Sequence, residues 1–167
     1  MKKKKKNAEW QKYSSIIYNL ALTKARKNLG YQIDISVYDI DKKHMPEKTD
    51  GSLLFSFVKN NLYFYCIIIR RQRHNIKKFF IKAHELGHLV CFSKLSVNEI
   101  KHLRECFRNN DKKYEAVKFE YEKKAFSEAY ELMKEVKVPL EIRDLFVQYS
   151  VGVLDNNVKE IINNFKN

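Results

Sequence analysis

The sequence predicts an α+β fold, and three observations carry that prediction. Long stretches place apolar residues at helical spacing. A segment between residues 33 and 70 alternates with period two or runs apolar without a break, as strands do. Only 4 Gly and 2 Pro punctuate 167 residues, so the elements are long and the sharp turns few. With 44% hydrophobic and 32% charged residues, the chain has material for one core and too little length for two large ones. A single domain over 1–167 is expected, with 1–7 as a disordered Lys-rich tail and 139–167 as a helical C-terminal extension.

Trp10, Tyr13, Ile17, Leu20 and Ala21 share one helical stripe, so residues 8–29 read as an amphipathic helix stopped by Gly30. Residues 33–38 alternate as a half-buried strand does. Residues 44–52, with Pro46 and Asp50-Gly51, read as a loop. The β-rich runs 53–58 and 62–70 flank Lys59-Asn60-Asn61 as a hairpin, giving a small three-stranded twisted sheet. The run 62–69 is apolar at both parities and is expected to be covered on both faces. Helical spacing resumes at Ile76, Phe80, Ala83, Gly87 and Val90, for a helix ending near Ser93. Ser96 followed by Glu99 is a capping box for a helix to about Arg108. Residues 111–136 form a long helix with Ala125, Ala129, Leu132 and Val136 in one apolar row. Pro139 breaks it, and two short helices, about 140–150 and 155–165, close the chain.

The formal net charge is +13, and the excess sits at +8 in residues 1–30 and +7 in residues 61–110. Such a surface attracts acidic partners. The abundance of Lys, Asn, Ile, Tyr and Phe is also what an AT-rich genome gives, and no nucleic-acid-binding motif is present, so direct nucleic-acid binding is not expected. Three Cys without a CxxC exclude a disulfide scaffold and fit a reducing compartment. The longest apolar run, Leu62 to Ile69, is far below the ~20 residues that span a bilayer. The lysine run is not followed by a signal-peptide pattern, so a soluble, cytoplasmic protein is expected.

His84-Glu85-Leu86-Gly87-His88 carries the chemistry. On a helix, residues i and i+4 stand one above the other, so two imidazoles reach one metal at ~2.0–2.1 Å. Glu85, one step round the helix, is placed as a general base for a metal-activated water, the arrangement of a zinc metallopeptidase. Composition alone gives such a motif about 0.01 times in this chain. Zinc needs a third protein ligand. Lys94 stands where the extended form of the motif places a third His, so the ligand lies elsewhere. The long helix offers Glu115, Glu120, Glu122, Glu128, Glu131 and Glu135. Glu122 continues the apolar row of Ala125, Phe126 and Ala129, and an inward carboxylate is costly unless paired or metal-bound. Periodicity alone therefore prefers Glu122 to Glu120.

The stretch Ala83-His84-Glu85-Leu86-Gly87-His88-Leu89 resembles the ImmA/IrrE family of metallopeptidases. That family follows its AHELGH with a helix of the form E-x-E-A-N-x-F-A. Here Glu120-Tyr121-Glu122-Lys123-Lys124-Ala125-Phe126-Ser127 matches at both Glu and at Phe, and Leu132-Met133 resembles a later Leu-Met pair. Lys123-Lys124 stand in place of Ala-Asn, and Phe92 replaces a His often found after HELGH. The resemblance covers about 33–136. It implies a zincin-like fold, Zn2+ held by His84, His88 and Glu120, and Glu85 as catalytic base. It also implies site-specific cleavage of a regulatory protein, such as a helix-turn-helix repressor of a phage or mobile element. The substrate is expected to lie extended along a sheet edge. The alternative is a non-catalytic regulatory or DNA-associated protein that keeps the same core.

Weaker signals are read as structural. His102 and Cys106 are an i,i+4 pair on a polar helix. Cys91, one turn after His88, is expected to be a buried, inert thiol. Arg70, Arg71, Arg73 and His74 are taken as a solvated strand end, not a phosphate grip. No Tyr among ten can be singled out to stabilise an oxyanion.

Overall fold

In the computed structural model, the chain is described over residues 2–30, 33–45, 50–59, 62–72, 75–108 and 112–166. Helix α1 (Lys2–Leu29) leads into strand β1 (Ile33–Ile40). A 3-10 turn (Lys42–His44) precedes the strands β2 (Gly51–Lys59) and β3 (Leu62–Arg70). Four helices complete the fold: α2 (Asn75–Ser93), α3 (Val97–Arg108), α4 (Glu115–Glu135, after a 3-10 turn at Lys112–Tyr114) and α5 (Leu140–Lys166). The α+β class expected from the sequence is observed, with a small mixed sheet and a majority of helix.

The sheet order is β1-β3-β2. β1 runs parallel to β3, with Ile35 opposite Tyr65 and Val37 opposite Ile67. β2 runs antiparallel to β3, with Leu53 opposite Ile67, and its register shifts between Ser56 and Val58. β1 and β2 are therefore the two edges. β2 and β3 pair antiparallel, as the expected hairpin requires, while Asn60, Asn61 and Pro46 lie outside the described residues. Over its described side chains β3 departs from the expectation of two covered faces. Tyr65, Ile67 and Ile69 are buried, whereas Cys66 and Ile68 on the other face are half-buried.

α2 is the central helix. From Phe79 to Ser93 every residue but Lys82 and Phe92 is buried. A helix that is apolar nearly all round belongs inside a core. It packs against α1, against α4, and against β2 and β3. One contiguous cluster joins Ile17 and Ala21 of α1, Ile67 and Ile69 of β3, Leu86 and Leu89 of α2, and Leu132 and Met133 of α4. Phe146 of α5 belongs to the same cluster.

Several boundaries differ from expectation for identifiable reasons. α1 begins at Lys2, so the lysine run, expected as a tail, lies within the helix. Lysine is a good helix former, and no breaker stands between Lys2 and Gly30. Gly30 ends α1 with φ +81, the left-handed conformation only glycine adopts freely, while its N–H reaches Arg26 O at 2.9 Å. α5 is one helix where two were expected, because Gly152 and Asp155 to Asn157 do not interrupt it. The capping box is formed: Ser96 N–H donates to Glu99 Oε2 at 2.7 Å, and Glu99 N–H donates to Ser96 Oγ at 3.3 Å. No helix among the described residues is long and apolar enough to cross a membrane.

Candidate metal centre

Three donors converge where α2 crosses α4. His84 Nε2 and His88 Nε2 are 3.1 Å apart, as two imidazoles one helical turn apart on α2 can be. Glu122 of α4 brings one carboxylate oxygen to 3.0 Å from His84 Nε2 and the other to 3.4 Å from His88 Nε2. Among the described residues this is the one group of three or more potential ligands whose donor atoms meet, and it could hold a metal ion.

The ligand inferred from the resemblance is corrected here. Glu120 lies on the solvent side of α4, with its side chain 55% exposed and ion-paired to Lys123 at 3.0 Å. Two residues on a helix are ~200° apart, so Glu120 and Glu122 cannot both face α2. Glu122 stands three, four and seven residues before Ala125, Phe126 and Ala129, which are buried against the core. The apolar row thus brings Glu122 to the imidazoles, as periodicity alone preferred.

The crossing depends on Gly87, between the two histidines. A Cβ there would lie 2.1 Å from Ala125 O and 3.0 Å from Ala125 C, both backbone atoms of α4. Gly87, Ala125 and Ala129 let the two backbones approach, which is what brings Glu122 within reach of both rings. Gly87→Ala is expected to push α4 away, destabilising the fold by about 1–3 kcal/mol and weakening metal binding with it. Thermal melting with and without added zinc reads both effects; an unchanged melting temperature and unchanged metal affinity would show that the crossing has slack.

Aromatic rings stack on both imidazoles. His84 lies on Phe126 with ring centroids 3.9 Å apart, and His88 on Phe92 at 5.7 Å. The Nδ1 atoms of both histidines are buried without a hydrogen-bond partner among the described residues.

Electrostatics divides the group. Burial would raise the Glu122 carboxyl, but hydrogen bonds and charge from His84 and His88 prevail and hold it well below the usual carboxylate range. Burial lowers His88, yet Glu122 and Glu85 outweigh it and raise the imidazole. Burial and the neighbouring His88 lower His84, against the pull of Glu122.

Glu85 is buried beside this group but is not one of its three potential ligands. Burial pushes its carboxyl up to about 7, with Glu122 adding to the rise and His88 and a hydrogen bond from Leu53 N–H opposing it. Gly51 of β2 makes room for it: a Cβ there would lie 2.5 Å from Glu85 Oε1. Asp50-Gly51 was expected only as a loop signal, whereas Gly51 opens β2 against the site.

A cavity of about 520 Å³ opens over the centre, between Gly51–Leu54 of β2, Phe92, Leu103 of α3 and Tyr149 of α5. Tyr149 is a site residue that the sequence did not reveal. Cys91 is buried, and its thiol is pushed up to about 11, first by burial and then by Glu128. His102 Nε2 and Cys106 Sγ are 3.7 Å apart, with no third ligand among the described residues. Arg71 pairs with Asp41 at 3.0 Å, and Arg73 and His74 lie outside the described residues. Comparison with models of known protein families, with curated proteins and with solved structures gives no match to this chain.

Proposed function

We propose that this chain is a zinc-dependent endopeptidase, similar in its motif to the ImmA/IrrE metallopeptidases. The observation that carries the reading is a spacing. A tetrahedral zinc with bonds of ~2.0–2.1 Å separates neighbouring ligand atoms by ~3.3 Å. The Nε2 atoms of His84 and His88, 3.1 Å apart, are close to that spacing, and Glu122 brings one carboxylate oxygen to 3.0 Å from the first ring and its other oxygen to 3.4 Å from the second.

His84 and His88 through Nε2, and Glu122 through its carboxylate, would hold the ion. When bound, zinc supplies a Lewis acid that polarises a peptide carbonyl and acidifies water. Glu85 takes the proton of the attacking water at its carboxylate and returns it to the departing amine nitrogen. A carboxyl poised near neutrality suits both halves of that transfer. The free edge of β2 borders the cavity and offers backbone groups to an extended peptide, which would add as a further strand. The resemblance favours one regulatory protein as the substrate, a helix-turn-helix repressor being the example.

The DNA-associated alternative draws on net charge. Several cations of the basic middle segment are engaged within the chain: Lys77 with Asp50 at 2.7 Å, Arg71 with Asp41 at 3.0 Å, and Lys78 with Asp39. The peptidase reading is therefore preferred. Purified full-length protein is expected to hold one zinc per chain and to cleave members of a quenched fluorescent peptide library. A chelator should stop cleavage and added zinc restore it. Protein that takes up no zinc at neutral pH would end the proposal.

A further inference from the structure

We infer that Tyr149 is a catalytic residue, its phenolic hydroxyl donating a hydrogen bond to the carbonyl oxygen of the scissile peptide as charge develops there. The inference rests on the peptidase reading above and assigns a role within it.

Three observations support it. First, Tyr149 lines the same cavity as His84, Glu85, His88 and Glu122, and among the described residues it is the one tyrosine that does so. Second, its ring is fixed. It lies 5.7 Å from Phe80, 6.2 Å from Phe126 and 6.4 Å from Phe146, and Phe126 is the ring stacked on His84. One aromatic cluster thus sets both the ligand imidazole and the phenol. Third, the hydroxyl is held in its donor form. Burial, then Asp50, Glu85 and Glu122, raise its pKa well above the ordinary tyrosine value.

The chemistry balances without any further reactant. Water oxygen bonds to the carbonyl carbon, and the water proton passes to Glu85. The C–N bond then breaks, and that proton moves to the amine nitrogen. Tyr149 keeps its own proton throughout and stabilises the oxygen only while it is negative. A donor placed for charge that exists only in the transition state raises kcat and leaves substrate binding nearly unchanged.

The test uses the full-length zinc-loaded protein, a quenched peptide that the wild type cleaves, and a phosphinic analogue of that peptide. Tyr149→Phe is expected to lower kcat by about 10²–10³, with little change in KM and one zinc per chain retained. It should also weaken the phosphinic analogue, measured by calorimetry. A reduced-amide peptide, which lacks the carbonyl oxygen, should bind both proteins equally. A variant that cleaves and binds the analogue as the wild type does would overturn the assignment. So would a variant that loses zinc or melts much earlier, since Tyr149 would then be structural. A wild type that holds zinc but neither cleaves peptides nor binds phosphinic peptides defeats the peptidase reading itself.

Discussion

Glu122→Ala is expected to weaken zinc binding by more than about a hundredfold, whereas Glu120→Ala leaves it unchanged. Loss of a group that merely orients a ligand costs 10–100-fold in affinity, so loss of a ligand costs more. Glu122 supplies oxygens 3.0 and 3.4 Å from the two imidazole nitrogens. Without it, two neutral donors remain, too few to compete with water for a dication. Removing Glu120 breaks only its exposed pair with Lys123, which contributes little to stability. Zinc titration against a competing chelator separates the two variants directly. Retention of metal by Glu122→Ala, with loss in Glu120→Ala, would overturn the ligand assignment. The same measurement at lower pH adds a check. Ligating imidazoles must be deprotonated, so affinity should fall as pH drops below the ordinary histidine value of about 6.5.

What was legible in the sequence follows from periodicity. The two histidines, Glu85 and the apolar row that turns Glu122 inward are all local patterns, because a helix fixes which residues share a face. The resemblance points to Glu120, against the face on which the helix places it, and the helix geometry prevails. The capping box at Ser96 and the stop at Gly30 are likewise local and were readable. Three features were not. Tyr149 reaches the cavity only because α5 returns across the α2–α4 crossing, a tertiary event that no spacing records. Gly51 looks like a turn residue until Glu85 is seen occupying the space beside it. That one β3 face is only half-buried depends on which helices pack on the sheet, and an apolar run cannot state that. Gly87 lies between these cases: its place on the apolar side was evident, but its need to be glycine comes from the carbonyl of Ala125.

Glu85→Gln is expected to separate binding from chemistry. The amide matches the carboxyl in shape and is not one of the three ligands, so the variant should hold zinc nearly as the wild type does. It cannot accept the water proton, and turnover should fall by about 10²–10⁴, the contribution of a positioned general base. The metal-free proteins should differ in a second, independent way. Glu85 has a carboxyl at about 7 in the fold against an ordinary 4.5, chiefly through burial. Its folded value is the higher one, so the native state binds this proton more tightly than the unfolded chain. That contribution is complete below pH 4.5 and is lost as pH rises through about 7. Across that window metal-free wild-type protein should lose about 3 kcal/mol of stability from this group, and Glu85→Gln should lose none of it. Denaturant unfolding of both apoproteins at pH 5 and pH 8 makes the comparison. If the two stabilities stay parallel between those pH values, Glu85 is not buried as a neutral acid. If Glu85→Gln cleaves peptides at the wild-type rate, the base lies elsewhere in the cavity. A variant that fails to bind zinc would instead show that this carboxylate belongs to the ligand shell, and the division of roles between Glu85 and Glu122 would have to be redrawn.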